Sequence, residues 1–227
     1  MTAPDIWMQT GTCRALDLIS PTAAGIDLMT DVAEALARTA RFSGHVRAGV
    51  YSVAQHTCLG TDAILKATGS LTIARAFHLH DAHDFAIGNI GTPTVEALEE
   101  RVGQELAKLM PHMADQAARI GRACFRKAHS GQKRDLDAAI YGAAGHPYPP
   151  APEILQAVKA WDLRMLRTER DHLFNGVPFP WADAVEAAEP VPLTGRISIW
   201  PWPKAADEWR ARLLMLFPHL VPSADAA

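Results

Sequence analysis

The sequence has few cysteines, no cluster of positive charge and no long apolar run, and each absence argues against a class of protein. The 3 cysteines, Cys13, Cys58 and Cys124, are odd in number and widely spaced, which argues against a disulfide framework or a CxxC metal site and predicts free thiols. The formal net charge is -3, and the 22 Lys and Arg residues form only short runs. Without a basic stripe, polymeric nucleic acid is not an expected partner.

Membrane and nucleotide-fold signals are absent as well. No window approaches the roughly 18 consecutive apolar residues that a membrane span needs, and MTAPDIWMQT lacks a basic region followed by an apolar run. We therefore expect a cytoplasmic protein with no membrane partner. No GxGxxG or GxxxxGKS/T fingerprint and no βαβ alternation occurs. At 227 residues, 48% hydrophobic and 21% charged, the composition is that of one globular domain with short additions.

Apolar spacing predicts a mainly α fold. Helices are predicted for residues 30–44, 52–66, 71–86, 92–110, 113–127, 133–144, 153–173 and 205–217. Residues 6–19 alternate in polarity around a Gly-Thr break and predict a short β-hairpin or arm, and ISIWPWP predicts one short strand. The expected organisation is an N-terminal arm (1–29), a helical domain (30–175) and a C-terminal extension (176–227) packed on it.

The stretch FHLHDAHDF crowds three histidines and two aspartates into the seven positions from His78 to Asp84. Imidazole and carboxylate groups bind divalent first-row metals and are costly to bury unpaired, so the cluster requires either a metal or an exposed surface. Adjacent residues on a helix point about 100° apart, so His80 and Asp81 can straddle a metal lying over the helix.

Two further ligands are expected from other helices. His56 lies in YSVAQH and Asp162 lies in KAWDLRML, and their apolar neighbours predict that these helix faces turn inward. Together with His80 and Asp81 they would give two imidazoles and two carboxylates, leaving coordination positions open for water and a substrate oxygen. Such a set favours Mn, Fe, Co, Ni or Zn over Mg.

The order of these four ligands resembles the H…HD…D pattern of the HD-domain metal-dependent phosphohydrolases. The segments RFSGHVRAGVYSVAQH and HDAHDFAIGNIGTP are similar to the 5'-deoxynucleotidase branch, including an Arg-aromatic pair fifteen residues before the first histidine ligand. The resemblance covers roughly residues 30–175. It implies an HD-domain helical bundle that releases phosphate from (deoxy)nucleoside 5'-monophosphates by attack of a metal-bound water, and relatives suggest a homodimer.

The same resemblance implies roles for further residues. Asp84 stands where the family has a glutamate that orients and deprotonates the water, and Asn89 stands where it usually has an aspartate that contacts the sugar or helps the leaving group. Arg41 would bind phosphate, Phe42 would pack on the base or sugar, and Thr92 would bound the pocket.

Three other histidines have less specific roles. His83 is either a contact to phosphate or a second metal, or a supporting or exposed histidine. His78 points to another side of the helix from His80 and is expected to be structural. His45 is either at the pocket edge or in a plain loop.

Two related motifs fit less well. Metallo-β-lactamase-like hydrolases carry HxHxDH, but Asp81 is followed by Ala82. Guanosine tetraphosphate hydrolases of the HD type carry HDxxED, whereas this chain has Asp84 followed by Phe85.

Two alternatives remain open within the HD resemblance. A dNTP triphosphohydrolase would use the same metal site, and Arg119, Arg122, Arg126 and Lys127 could either contact a longer phosphate chain or form a solvated helix face. A nucleotide-binding regulatory protein with weak catalysis is the other, because Asp84 and Asn89 depart from the family pattern.

Overall fold

Helices form most of residues 4–221, the part of the chain that this computed structural model describes. A short antiparallel hairpin precedes them, in which β1 (Trp7–Gln9) pairs with β2 (Ala15–Asp17). The helices are α1 (Ala33–Arg38), α2 (Val53–Thr68), α3 (Leu71–Leu79), α4 (Asp84–Ile87), α5 (Thr92–Leu109), α6 (Ala114–Ala143), α7 (Pro152–Leu173), α8 (Asp183–Glu186) and α9 (Trp202–Leu216). The mainly α fold and the N-terminal hairpin predicted from the sequence are confirmed. Over the same residues, no helix has the length and apolar character needed to cross a membrane.

A tight turn between α2 and α3 brings two of the predicted ligands together. The Ser52 and Ser70 hydroxyls cap the first turns of α2 and α3 by accepting backbone N–H bonds of 3.2 and 3.3 Å. Gly69 follows the last residue of α2 and caps the helix, and its φ of +64° lies in the left-handed region that glycine favours. Because only two residues separate the helices, α3 folds back along α2. His56, near the start of α2, therefore lies beside His80, just beyond the end of α3.

The contact between α2 and α3 depends on a glycine. A Cβ atom at Gly60 would lie 2.1 Å from the ring of Phe77, which is fully buried. The same ring packs against the imidazoles of His56 and His80, with centroid distances of 5.6 and 4.5 Å. The missing side chain at Gly60 thus allows Phe77 to support both histidines.

The remaining long helices close the core around this pair. Helices α7 and α9 pack against α2 and α3, and α9 also packs on α1. Trp209 of α9 is fully buried and stacks on His78 of α3 at 4.8 Å. The C-terminal part of α6 joins the core through Leu136 and Ile140, whereas its N-terminal part packs along α5.

The helix predicted for residues 71–86 is interrupted at the ligand cluster. Residues 80–83 form tighter turns, in which alternate N–H groups bond to the carbonyl three residues earlier, and α4 resumes at Asp84. The His80 side chain explains the break, because its Nδ1 lies 2.6 Å from the Phe77 carbonyl and competes with the helical hydrogen bond. The prediction of one continuous helix is therefore wrong.

The helix predicted for residues 30–44 also ends early. A π-helical turn at Leu28–Val32 leads into α1, which stops at Arg38. The next residues become extended, and the Arg41 N–H bonds to the Tyr51 carbonyl at 2.8 Å. This pairing with the segment before α2 replaces further helical hydrogen bonds.

Two further predictions differ from the structure. The helices predicted at 113–127 and 133–144 are the single helix α6, because Gly131 costs a helix only about 1 kcal/mol and no proline separates them. ISIWPWP forms no strand. The Gln55 side chain donates to the Ser198 carbonyl (2.7 Å) and accepts from the Trp200 N–H (3.0 Å), so it takes the hydrogen bonds that a neighbouring strand would have made.

We expect Gly60→Ala to lower the free energy of unfolding by about 1–3 kcal/mol, because the new methyl group would overlap the buried Phe77 ring. Chemical denaturation would measure the change. Gly131→Ala is the matched control, since its Cβ would meet only the Arg134 guanidinium at 3.6 Å and the helix should gain up to about 1 kcal/mol. Equal stability of the two variants would contradict the close contact.

Candidate metal centre

Four side chains converge on one point between α2, α3 and α7. The Nε2 atom of His56 lies 3.7 Å from Oδ2 of Asp81 and 3.5 Å from Oδ1 of Asp162. The Nε2 atom of His80 lies 3.4 and 3.7 Å from the same two oxygens. One ligand atom from each of the four residues falls within 4.8 Å of all the others. The residues that the sequence singled out as ligands are thus brought together.

The two imidazoles present nitrogens that lack another partner. Nε2 of His56 and Nε2 of His80 are buried and accept or donate no hydrogen bond among residues 4–221. Each faces the carboxylates of Asp81 and Asp162. Ligands bound at about 2.1 Å in a tetrahedral arrangement stand roughly 3.4 Å apart, close to the spacing observed here. The donor set therefore fits a divalent first-row metal ion.

The electrostatics of the group favour positive charge at its centre. Burial opposes the charged form of His80, but Asp81 and Asp162 outweigh burial and raise the pKa of His80 to about 9. Burial alone would raise the pKa of Asp162, yet His80 and His56 hold it at about 2. The pKa of Asp81 lies well below its usual range because His80 and Arg41 outweigh burial. A bound cation would neutralise the negative charges of Asp81 and Asp162 in the same way.

Glu169, which sequence reasoning missed, holds the centre from behind. Its Oε1 lies 2.5 Å from Nδ1 of His56 and accepts from the Tyr51 hydroxyl at 2.7 Å. Its side chain is fully buried, and Arg41 and His56 outweigh burial to keep the pKa of this carboxyl below its usual value. The carboxylate keeps the proton of His56 on Nδ1 and leaves Nε2 free for a metal. A signal was present, because Glu169 follows Asp162 by two helical turns on one face of α7.

Arg41 links the candidate ligand Asp81 to Glu169. Its Nη1 donates to Oδ2 of Asp81 at 3.0 Å, and its Nη2 donates to Oε2 of Glu169 at 3.1 Å. The side chain is 8% exposed, and its Nε has no hydrogen-bond partner among the described residues. Glu169 and Asp81 outweigh burial and raise the pKa of Arg41, so the guanidinium stays charged. Contact with phosphate remains a prediction, since both terminal nitrogens already bind carboxylates.

Asp84 is fixed by two neighbours that the sequence also singled out. Its Oδ2 accepts from the Asn89 amide at 2.7 Å, and its Oδ1 lies 3.4 Å from Nε2 of His83. His83 in turn contacts Oδ1 of Asp137 through Nδ1 at 2.8 Å. Burial, and then the charge of Asp81, raise the pKa of Asp84. His83 thus lies where a supporting histidine would, beside Asp84.

An open cavity of about 950 Å³ adjoins the centre. Its lining includes most of the predicted site residues, namely Arg41, Phe42, Asp81, Asp84, Asn89, Thr92 and Asp162. Phe42 packs edge-on against Phe174 and has a left-handed φ of +55°. His45 is exposed outside this lining, which agrees with the plain loop interpretation.

No protein-family model matches the chain, and no curated protein matches it either. The class of the protein therefore rests on its fold and its site. It is a mainly helical protein with a buried group of two histidines and two aspartates that could hold a metal ion.

We expect Glu169→Gln to weaken divalent metal binding about 10- to 100-fold, because the neutral amide no longer holds His56 in the ligand tautomer. Titration with Mn²⁺, Co²⁺ or Zn²⁺ would measure the affinity, with circular dichroism to verify the fold. Glu100→Gln, on the exposed surface of α5, is the control and should bind metal as the unchanged protein does. Unaltered affinity in Glu169→Gln would rule out this role.

His78 should make the protein sensitive to acid. Burial lowers the pKa of His78 to about 3, so below pH 6.5 the unfolded chain takes up a proton that the folded chain refuses. The free energy of unfolding should fall by about 2 kcal/mol between pH 7 and pH 5 from this residue alone. Chemical denaturation across that range should show that the free energy of unfolding depends less on pH in His78→Gln than in the unchanged protein. The exposed His45→Gln is the control and should keep the pH dependence of the unchanged protein.

Proposed function

We propose that the protein is a metal-dependent phosphohydrolase of the HD-domain type that releases phosphate from (deoxy)nucleoside 5'-monophosphates. One observation carries the proposal: the group of two histidines and two aspartates adjoins an open cavity, which its members Asp81 and Asp162 line together with Asp84. A volume of about 950 Å³ accommodates a ligand of nucleotide size. The order of the converging ligands along the chain is the order that the HD resemblance requires.

The four ligands would hold one divalent ion through His56, His80, Asp81 and Asp162. When bound, such an ion supplies Lewis-acid chemistry, because it lowers the pKa of a water molecule and offsets negative charge on a phosphoryl oxygen. The Arg41 guanidinium adds fixed positive charge at the lining of the same cavity.

Asp84 would take the proton of the attacking water. Its raised pKa brings this carboxylate closer to the working range of a general base at neutral pH. The Asn89 amide fixes one carboxylate oxygen, and His83, anchored by Asp137, stands beside the other. These contacts limit the rotation of the Asp84 side chain, which is one methylene shorter than glutamate, and so hold its carboxylate in one orientation.

A triphosphohydrolase acting on dNTPs is the second candidate, and one observation favours it. Lys133 and His129 of α6 line the same cavity and could contact further phosphates. Two of the arginines that the sequence raised for this role bind elsewhere, since Arg122 pairs with Glu100 at 3.2 Å and Arg126 pairs with Glu99. A nucleotide-binding regulatory protein with weak catalysis is the third reading.

A hydrolysis panel tests the proposal. Purified protein with Mn, Co, Ni, Zn or Mg should release orthophosphate from dNMPs or NMPs, and His80→Ala should abolish the release. Asp84→Asn should lower the rate about 100-fold or more while metal stays bound, because the amide cannot accept a proton.

Asp135→Asn, a half-exposed carboxylate on α6, is the matched control and should keep full activity. Triphosphate released from dNTPs would favour the second candidate. Metal and nucleotide binding without turnover would favour the regulatory reading and refute the hydrolase.

A further inference from the structure

We propose that residues 178–182 form the nucleobase platform of the cavity, with Phe179 as the stacking side chain. This inference rests on the proposed function and names a part of the substrate site that lies outside the region of family resemblance. Phe179 is 77% exposed and lines the same cavity as Asp81 and Asp84. A large aromatic ring exposed at the wall of a cavity is suited to stacking against a flat apolar ligand.

The platform is held in place by the body of the protein. Trp181 packs against Phe42 and Phe174, with ring centroids 6.1 and 5.9 Å away. Its backbone N–H donates to Oε1 of Glu186 at 2.8 Å, and Glu186 is ion-paired with Arg170 of α7. Because Trp181 is held by these contacts, the backbone two residues before it, which carries Phe179, is also held in place.

Prolines on both sides of the ring restrict the platform further. Pro178 and Pro180 both line the cavity, and each fixes its own φ near -65°. A restricted backbone reduces the entropy lost when Phe179 binds a flat ligand.

The cavity lining combines two kinds of chemistry. Its polar residues include the candidate metal ligands Asp81 and Asp162 together with Asp84, and its apolar residues include Phe179, Trp181, Leu163, Leu166 and Val185. A nucleotide has the same two parts, a charged phosphate and a flat base. Stacking on Phe179 tolerates every base, because each base has a π face. We therefore infer a preference for phosphate esters that carry a base, with little discrimination between bases.

The test compares a deoxynucleoside 5'-monophosphate with deoxyribose 5-phosphate, which has the same ester and no base. Phe179→Ala should lower the ratio of their kcat/KM values about 10-fold, and Phe179→Trp should restore it. Leu109→Ala is the matched control, because Leu109 is also 77% exposed and lies outside the cavity lining. An unchanged ratio in Phe179→Ala would overturn the platform while leaving the phosphohydrolase proposal intact.

Binding without turnover separates the two proposals. Saturation-transfer NMR in EDTA would follow the base protons of deoxyadenosine, which has no phosphate to hydrolyse. A signal from the unchanged protein that Phe179→Ala loses would support the platform even if no ester is hydrolysed. No signal from the unchanged protein, or one that persists in Phe179→Ala, would refute it.

Discussion

The buried carboxylate of Glu169 is the contact on which the rest of the site depends. It binds His56, Tyr51 and Arg41 at once, and Arg41 also binds the candidate ligand Asp81. A buried charge is tolerated only when it is fully paired, so Glu169 requires all three partners to stay in place. This requirement joins α2, α7 and the segment before α2 into one unit. The orientation of the imidazole ligand is thus a consequence of how a single negative charge is neutralised.

Much of the fold and the ligand set could be predicted from the sequence. Helical apolar spacing located α2, α5, α7 and α9, and the resemblance pointed to His56, His80, Asp81 and Asp162. Contacts between distant side chains could not be predicted in this way. The two-turn spacing from Asp162 places Glu169 on the same face of α7 but does not identify its partners His56, Tyr51 and Arg41. The bond between Gln55 and residues 198–200 joins segments that share no pattern.

The break after α3 was unpredictable for a different reason. The apolar period continues through residues 80–85, so periodicity indicates an unbroken helix. The helix is instead interrupted, because Nδ1 of His80 forms a hydrogen bond with the Phe77 carbonyl in place of a helical backbone bond. That bond fixes the imidazole with Nε2 towards the carboxylates, so the residue that ends the helix is also a candidate ligand. Local structure and site chemistry share one cause here.

The distance along the chain between His56 and Glu169, 113 residues, has a consequence for biosynthesis. Contacts between residues so far apart form late in folding, because a long loop must close before they are made. A nascent chain from which α7 has not yet emerged holds His56, His80 and Asp81 but neither Asp162 nor Glu169. The centre can therefore assemble only after α7 has been synthesised, and its formation reports that α7 has docked against α2 and α3.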